Sequence, residues 1–305
     1  MNIREKICKL KQEKDVLILA HYYADKEVQE LADFAGDSYA LARKAVETTQ
    51  KNILFAGVSF MGESAKLLNP DKHVYMLDPT AGCPMADMVT AEQVKEARAR
   101  YPKAAVVCYV NSSAEVKAES DVCVTSSNAL KVVKQLEEKQ IFFIPDQHLA
   151  YYTAEMLPEK EFIYHTGYCP THQQIDKKSL QAVKEKHPKA LTLTHPECAE
   201  EILELSDYIG STAEIIRFAK ESEAKEFIIA TETGVFYQLE KDNPEKKFYP
   251  VTDCQVCPDM KKNTLARLLH VLEQIGEEDL PEIELDQRIM QQAKRPLTRM
   301  LELAR

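Results

Sequence analysis

The chain has 305 residues, 45% of them hydrophobic, which is typical of a globular protein with a substantial core. The formal net charge of -10 at pH 7, without a local cluster of Lys and Arg, argues against nucleic acid and anionic membranes as partners. No apolar run approaches the roughly 20 residues that a membrane-spanning helix needs, and the charged start of the chain has no apolar signal core, so we expect a cytoplasmic protein.

In chain order, the first quarter of the sequence predicts four short strands that alternate with three helices. The strands are expected at 16–20, 33–36, 52–58 and 73–77, and the helices near 26–32, 39–50 and 61–68. Apolar strands that alternate with amphipathic helices indicate right-handed crossovers and a parallel sheet covered on both faces.

The motif at the end of the first strand recurs twice. His21-Tyr22-Tyr23 is matched by Tyr109-Val110-Asn111 and then by His195-Pro196-Glu197, with steps of 88 and 86 residues between copies. Each copy has an Asp 10 residues after the third motif residue and a Ser or Thr 15 residues after it. These markers are Asp33 and Ser38, Asp121 and Ser126, and Asp207 and Thr212. Similarity at a fixed period predicts a repeat architecture.

Two further markers follow the same period. A Pro with a Lys two positions later precedes the fourth strand of each copy, and a Cys-Pro pair follows that strand. They are Pro70 and Lys72, Pro158 and Lys160, Pro244 and Lys246, and the pairs Cys83-Pro84, Cys169-Pro170 and Cys257-Pro258. The sequence therefore predicts an α/β fold of three pseudo-threefold-related repeats. Each repeat is expected to be a three-layer αβα unit with a short parallel four-stranded sheet, and the active site is expected at the central junction.

The predicted repeats span residues 1–87, 88–174 and 175–305. The third repeat is taken to include two C-terminal helices, near 264–275 and 288–303.

Eight cysteines in a chain without an export signal favour thiols, metal ligands or redox groups over a disulfide framework. In a parallel α/β sheet, ligands bind beyond the carboxyl ends of the strands, so Cys83, Cys169 and Cys257 are expected to converge. Three thiolates could bind Zn²⁺ or an iron-sulfur cube, and in a cube they would leave one iron open as a Lewis acid.

The other cysteines do not recur at equivalent positions and are expected to be structural. They are Cys8, Cys108, Cys123, Cys198 and Cys254. Cys254 forms a C-x-x-C pair with Cys257, which is either a disulfide that would remove a cluster ligand or a coincidence of spacing.

Ser38, Ser126 and Thr212 each lie at a strand-to-helix turn. A hydroxyl residue there is typically an N-cap, and that structural role fits each one alone. Three helix N-termini directed at one point would also bind carboxylates or phosphate. The pattern therefore predicts an anionic substrate.

The first-strand motifs supply residue types that transfer protons or hold an oxygen atom. They are His21, His195, Tyr23, Tyr109 and Glu197, with Asn111 suited to a carboxylate or carbonyl oxygen. A single His at a strand end is more often structural, but two at equivalent positions favour a site. His172 is close enough in sequence to Cys169 to orient that ligand.

With these motifs, the sequence resembles the quinolinate synthase family of bacterial and archaeal NAD biosynthesis. The matching segments run in order from about residue 16 to residue 300 and cover nearly the whole chain. They are Leu19-Ala20-His21-Tyr22-Tyr23, Ala32-Asp33-Phe34-Ala35-Gly36-Asp37-Ser38, Cys83-Pro84-Met85-Ala86, Tyr109-Val110-Asn111-Ser112, Thr125-Ser126-Ser127-Asn128, Cys169-Pro170-Thr171-His172-Gln173, His195-Pro196-Glu197-Cys198, Gly210-Ser211-Thr212 and Met260-Lys261-Lys262-Asn263-Thr264-Leu265. The sequence departs from the family pattern at Tyr22 and Gly82, where Asn and Thr are usual, and neither residue is an expected ligand.

The resemblance implies a transferase that condenses iminoaspartate with dihydroxyacetone phosphate to give quinolinate, with loss of phosphate and water. It implies a single 4Fe-4S cluster per chain, held by Cys83, Cys169 and Cys257. It also implies a substrate cavity lined by His21, Ser38, Tyr109, Asn111, Ser126, His195, Glu197 and Thr212. The expected catalytic residues are Glu197, His195, Tyr23 and Tyr109. A further expectation is transient contact with the enzyme that supplies the imine, an aspartate oxidase or an aspartate dehydrogenase.

Two other functions are compatible with the repeat. An iron-sulfur hydro-lyase acting on a hydroxy acid would use the same open iron, and a substrate assay separates it from a condensing enzyme. A non-enzymatic protein would use the three thiolates as a zinc staple, or Cys254 and Cys257 as a redox sensor, and metal analysis identifies the zinc protein.

Overall fold

The computed structural model of the protein describes residues 2–277 and 280–305. Within these residues the strands form three four-stranded sheets, and every pairing between neighbouring strands is parallel. The predicted α/β fold with three repeated sheets is therefore confirmed.

The first sheet is built from the first quarter of the chain. Its elements are α1 (Ile3–Glu13), β1 (Val16–His21), α2 (Lys26–Leu31), β2 (Phe34–Gly36), α3 (Ser38–Glu47), β3 (Asn52–Ala56), α4 (Ser59–Leu68) and β4 (His73–Met76). The strand order is β2-β1-β3-β4. All six residues of β1 are buried, as expected for a central parallel strand with helices on both faces.

The second sheet repeats this order. Its elements are α5 (Ala91–Arg100), β5 (Ala104–Tyr109), α6 (Ala114–Ala118), β6 (Val122–Val124), α7 (Ala129–Lys134), β7 (Gln140–Ile144), α8 (Gln147–Met156) and β8 (Glu161–Tyr164). The strand order is β6-β5-β7-β8, so the first strand of the copy again lies between the second and the third.

The third sheet has the same topology, with the order β10-β9-β11-β12. Its strands are β9 (Leu191–Thr194), β10 (Tyr208–Ile209), β11 (Glu226–Ala230) and β12 (Lys247–Pro250). Its helices are α9 (Pro170–Gln173), α10 (Lys177–Lys186), α11 (Glu200–Leu203), α12 (Thr212–Glu221) and α13 (Val235–Asp242).

The chain ends in two helices, α14 (Leu265–Gln274) and α15 (Gln287–Leu303), close to the predicted bounds. α14 packs on α1 and α2, and α15 packs on α4, α6, α7 and β6. The largest hydrophobic core joins the first two sheets, and the buried α15 residues Ala293, Leu297 and Met300 belong to it. The repeat limits at 1–87, 88–174 and 175–305 remain a proposal.

The amino ends of the sheets carry the same carboxylate contact in all three copies. A carboxylate next to the second strand accepts a hydrogen bond from a backbone N–H of the first strand, at 2.7 to 2.8 Å. The pairs are Asp33 with Ile18, Asp121 with Val106, and Asp207 with Thr192. The periodic Asp markers therefore connect neighbouring strands.

The periodic Lys markers have a matching role. Lys72 donates hydrogen bonds to the carbonyls of Ala45 and Thr48 at the end of α3. Lys160 and Lys246 do the same at or just beyond the ends of α7 and α12. The last carbonyls of a helix lack partners within it, so these ammonium groups stabilise the three helix ends.

Among the described residues, no helix combines the length and the apolar character that a membrane span requires.

Candidate active site

A single cavity lies where the carboxyl ends of the three sheets meet. All twelve residues predicted for the site line it. They are His21, Tyr23, Ser38, Cys83, Tyr109, Asn111, Ser126, Cys169, His195, Glu197, Thr212 and Cys257. The cavity therefore brings together the residues at the strand ends of the three copies.

Each of the three cysteines precedes a helical turn that begins at the following proline or just after it. The carbonyl of Cys83 accepts a hydrogen bond from Ala86 N at 2.8 Å, and that of Cys169 from Gln173 N at 2.9 Å. The carbonyl of Cys257 accepts from Lys261 N at 3.2 Å. Equivalent turns thus present the three thiols to the same cavity.

The thiols are held in an environment that disfavours their ionised form. Burial, reinforced by the charges of Glu197 and Cys257, raises the pKa of Cys83 to about 12. Burial likewise raises the pKa of Cys169 and of Cys257. Three thiolates in this cavity need a compensating cation, and the donor set therefore fits a metal centre.

Cys169 also belongs to a mixed group of possible ligands. Its Sγ, a ring nitrogen of His172 and a carboxylate oxygen of Glu197 lie within 4.8 Å of one another, an arrangement that can hold a metal ion. Nδ1 of His172 is 3.1 Å from the Cys169 Sγ. The expectation that His172 lies beside this cysteine is confirmed by that contact.

The remaining cysteines stay outside the cavity lining. Cys108, Cys123 and Cys198 are fully buried, and Cys8 and Cys254 are exposed.

Glu197 is the centre of the hydrogen bonds inside the cavity. It is 4% exposed, its Oε1 accepts a hydrogen bond from the Tyr109 hydroxyl at 2.6 Å, and its Oε2 lies 2.8 Å from Nδ1 of His172. Burial alone would raise the pKa of this carboxyl group. The facing His172 and His195 rings and the Tyr109 hydroxyl outweigh burial and lower the pKa of Glu197 well below its ordinary value.

A hydrogen-bonded chain continues from Glu197 to Tyr23. Nε2 of His172 lies 2.8 Å from the Thr231 Oγ1, which lies 2.8 Å from the Tyr23 hydroxyl. The Tyr23 hydroxyl is also 2.8 Å from the Thr212 Oγ1. Nδ1 of His172 is the ring nitrogen that faces Glu197, and Nε2 is the nitrogen that contacts Thr231, so the imidazole connects the two residues.

Burial fixes the protonation states of the other rings. It raises the pKa of Tyr23 and of Tyr109 well above the ordinary value, so both phenols keep their protons at pH 7. It lowers the pKa of His21 and of His195 to about 3, so both imidazoles are neutral at pH 7. Around Glu197 the cavity thus holds neutral phenols and imidazoles.

The two histidines at equivalent strand ends have the same tautomer. Nδ1 of His21 accepts a hydrogen bond from Tyr23 N at 3.1 Å, and Nδ1 of His195 accepts one from Glu197 N at 3.3 Å. Each ring therefore carries its proton on Nε2. For His195, that proton faces the Ser126 Oγ at 3.2 Å.

The hydroxyl residues Ser38, Ser126 and Thr212 do not act as N-caps, so that structural reading is wrong. Helices α3, α7 and α12 begin instead after the caps Asp37, Asn128 and Ser211. Because the neighbouring residues occupy the cap positions, the three hydroxyl residues can face the cavity at the starts of these helices.

Asn111 is partly exposed but carries one buried acceptor atom. Its side-chain Oδ1 is buried and has no hydrogen-bond partner among the described parts of the chain. Buried polar atoms are seldom left without a partner, so an atom of this kind in a cavity is suited to bind a ligand donor.

Sequence reasoning missed Thr231, Glu232 and Lys261. Thr231 and Glu232 follow β11, the third strand of the third copy, at positions equivalent to Pro145-Asp146. The two residues after the third strand differ in type in all three copies, so no marker recurs there with the repeat. In the first copy, the residue equivalent to Asp146 and Glu232 is Val58. Because Val58 is apolar, a carboxylate does not recur at this position in all three copies.

Comparison with known proteins gives a consistent result. The family model described as "Quinolinate synthetase A protein" matches residues 5–302. A quinolinate synthase of Caldicellulosiruptor bescii is 48% identical over 301 residues, covering 99% of this chain and 98% of the relative. A quinolinate synthase of Aquifex aeolicus is 46% identical over 307 aligned residues, covering 99% and 94%. A quinolinate synthase of Clostridium perfringens is 49% identical over 289 residues, covering 95% of each chain.

Proposed function

The chain belongs to the quinolinate synthase family, and we propose that it condenses iminoaspartate with dihydroxyacetone phosphate to form quinolinate, with loss of phosphate and water. The observation that carries this proposal is the cavity in which a thiol from each copy meets a shared set of hydroxyl, imidazole, phenol and carboxylate groups. An enzyme of this class serves NAD biosynthesis.

We assign Cys83, Cys169 and Cys257 as the ligands of one 4Fe-4S cluster per chain. Their common turn geometry and their raised pKa values support this assignment, because three thiolates in a buried site require a cationic partner. When bound, such a cluster supplies an iron without a thiolate ligand, which acts as a Lewis acid.

The substrates are a dicarboxylate and a phosphoester, so the site must hold several negative oxygens. Ser38 and Thr212 begin α3 and α12, and Ser126 lies just before α7. The backbone N–H groups and the dipole at the start of a helix favour anions. We assign these three residues, with Asn111 and His21, to substrate binding.

The hydrogen-bonded chain supports proton transfer from Tyr23. Its phenol proton can pass through Thr231 to Nε2 of His172, and the resulting imidazolium is stabilised by Glu197 at 2.8 Å. A phenolate formed in this way can take a proton from substrate carbon and assist enolisation. Thr231 and His172 join Tyr23 and Glu197 in this assignment.

Tyr109 and His195 complete the acid-base set. The Tyr109 hydroxyl donates to Glu197, so a proton lost by Tyr109 can be held on the carboxylate. His195 presents Nε2–H beside Ser126 and stacks on His172, with ring centroids 4.8 Å apart. We assign both to proton transfer during dehydration and ring closure.

We further propose a cytoplasmic location and transient contact with the aspartate oxidase or dehydrogenase that makes the unstable imine.

The near absence of exposure at His21, Tyr109, His195 and Glu197 supports chemistry in a site shielded from water.

Anaerobic purification followed by metal analysis and a quinolinate assay tests this function. We expect a brown protein with about four irons and four acid-labile sulfides per chain that forms quinolinate from the two substrates. A colourless, zinc-loaded protein from anaerobic cells would favour the structural zinc alternative. Iron-loaded protein that dehydrates a hydroxy acid and makes no quinolinate would favour the hydro-lyase.

A further inference from the structure

An ion pair of the third copy, between Glu232 and Lys261, lies at the edge of the cavity where the third copy meets the first. Glu232 follows β11 and is fully buried. Its Oε1 accepts a hydrogen bond from Cys257 N at 3.2 Å and lies 3.3 Å from the Lys261 Nζ. Its Oε2 accepts a hydrogen bond from Gly234 N at 2.6 Å. Glu232 therefore holds the backbone of the turn that carries the third cysteine.

Lys261 connects this turn to the loop that carries Tyr23. Its Nζ donates a hydrogen bond to the Tyr23 carbonyl at 2.8 Å and lies 3.6 Å from the Asp25 Oδ1. Its own backbone N–H is bonded to the Cys257 carbonyl. A single ammonium group thus contacts the main chain beside Tyr23 and the carboxylate that holds Cys257.

The two loops are also in direct backbone contact at Gly234. A Cβ atom at this position would lie 2.6 Å from the Tyr23 Cα and 2.7 Å from its carbonyl carbon. The Gln29 amide nitrogen donates to the carbonyls of Tyr22, Ala24 and Gly234, across the same contact. The approach requires glycine, because any side chain would separate the loops.

The second copy has a carboxylate at the equivalent position but a different arrangement around it. Asp146 is also fully buried, and its Oδ1 accepts a hydrogen bond from Leu149 N at 2.6 Å. Within residues 2–277 and 280–305, no ion pair to Asp146 is present. The lysine is therefore specific to the junction of the third copy with the first.

We propose that Glu232 and Lys261 are positioning residues that fix Tyr23 and Cys257 relative to each other, an inference that rests on the roles assigned above to those two groups. Lys261 acts on the main chain of Tyr23, so it controls where the phenol lies without touching substrate. Glu232 acts on the main chain of Cys257, so it controls the turn that presents the thiol. Breaking the pair leaves a fully buried carboxylate without its cation. The carboxylate must then take up a proton or be hydrated through movement of the loops, and both weaken its hold on the Cys257 turn.

The test compares Lys261→Met with Lys261→Arg, which keeps the positive charge, and with a matched control, Lys11→Met. Lys11 also pairs with a carboxylate, Asp33 at 2.9 Å, and also donates to a backbone carbonyl, that of Leu31 at 3.2 Å. It lies at the amino end of the first sheet, so its removal tests the loss of a comparable ion pair away from the cavity.

Two readouts separate positioning from general stability. In metal-free folded protein, alkylation of each cysteine by iodoacetamide is followed by mass spectrometry. In reconstituted protein, kcat per bound cluster is compared with KM. We expect Lys261→Met to speed alkylation of Cys257 at least about threefold relative to Cys83, and to lower kcat per cluster by roughly tenfold to a hundredfold with little change in KM. Lys261→Arg should recover most of both, and Lys11→Met should match wild type in both.

A normal alkylation rate at Cys257 together with a normal kcat per cluster in Lys261→Met would overturn the inference. If Lys261→Met does not fold, Glu232→Gln replaces it, because this change keeps the size of the side chain. Cys257 alkylation and kcat per cluster are then measured in the same way, and the same criteria decide the inference. The alkylation measurement needs neither cluster nor substrate. A wild-type protein that forms no quinolinate would therefore contradict the proposed function, while the cysteine rates would still decide the inference.

Discussion

The two ends of the three sheets differ in how far the copies have diverged. At the amino ends, Asp33, Asp121 and Asp207 make the same bond to a neighbouring strand at 2.7 to 2.8 Å. At the carboxyl ends, equivalent positions carry different chemistry, as Tyr23, Asn111 and Glu197 illustrate. The amino ends thus keep one stabilising contact in triplicate, whereas the carboxyl ends combine unlike groups in a shared cavity.

The difference has a physical reason. A contact to the backbone depends only on the geometry of the parallel sheet, so any copy of the fold can use it unchanged. Proton transfer and substrate binding need donors, acceptors and charges at different points around one asymmetric ligand. The Cys-Pro pairs at the carboxyl ends, in contrast, remain identical, as expected if the cysteines are equivalent ligands of one metal centre. Variants at the two ends should accordingly separate activity from stability.

The largest effect is expected from the cysteines at the carboxyl ends. Replacing Cys83, Cys169 or Cys257 singly by Ser should abolish both cluster binding and quinolinate formation, because each supplies one of three ligands. Iron and sulfide analysis with a quinolinate assay measures both. Cys8→Ser is the control, since Cys8 is exposed on α1, outside the cavity lining. A fully loaded and active Cys169→Ser protein would rule out the three-cysteine assignment.

The next largest effect is expected at Glu197. Glu197→Gln keeps the shape of the side chain but removes its negative charge. The variant can no longer stabilise the His172 imidazolium or hold the proton lost by Tyr109. We expect kcat to fall by about 10² or more with unchanged iron content, as for loss of a general base. Steady-state kinetics on iron-quantified protein check this. Turnover close to wild type would reject the proton-transfer role.

An amino-end variant should show the opposite behaviour. Asp121→Ala removes the acceptor for the Val106 N–H and the partner of Arg98 at 2.8 Å. We expect it to lower the free energy of unfolding by about 2 kcal/mol, chiefly through the unpaired backbone N–H. kcat per cluster should be unchanged. Denaturant unfolding of metal-free protein measures the loss, and Asp121→Asn should recover part of it because an amide oxygen can still accept. A tenfold fall in kcat per cluster would show that a change at the amino ends of the sheets also alters activity, contrary to the expected separation.

The smallest effect, taken over a single pH unit, is that of pH on stability. Burial, against the opposing charge of Glu197, lowers the pKa of His21 from 6.5 to about 3, so the unfolded chain binds a proton in this range that the folded chain does not. His21 therefore contributes to a loss of stability as pH falls from about 6.5 towards 3, by up to about 1.4 kcal/mol per pH unit.

Between pH 6 and pH 5, His21→Gln should reduce the number of protons taken up on unfolding by about one. The slope of the unfolding free energy against pH, measured by urea unfolding of metal-free protein, gives this number. His270→Gln, at an exposed position on α14 outside the cavity lining, is measured alongside as the control for replacing a histidine. An unchanged slope in His21→Gln would mean that His21 is not buried as a neutral imidazole.

Much of the fold could be predicted because its signals are local. The apolar run of β1, the Cys-Pro turns and the spacing of Asp33 from Tyr23 are visible in the sequence and recur with the repeat. The cap residues were harder to predict. Ser38 and Thr212 differ from the true caps Asp37 and Ser211 by one residue, and a hydroxyl at either position fits the same pattern.

The partners of the site residues could not be predicted. Thr231 contacts both Tyr23, 208 positions away, and His172, 59 positions away, and no local pattern encodes such distances. Lys261 is 238 positions from the Tyr23 carbonyl that it binds. Side chains of this kind become neighbours only when the three copies pack together.

The sequence by itself determined the parallel sheets, their threefold repetition and the residues at each strand end, because strand periodicity and marker spacing are properties of short segments. Tertiary structure alone decided which of those residues share hydrogen bonds, which thiols and imidazoles lose their charge through burial, and which lysine of the third copy reaches the main chain of the first. These properties depend on distance and solvent exclusion between segments far apart in the chain, and packing sets both.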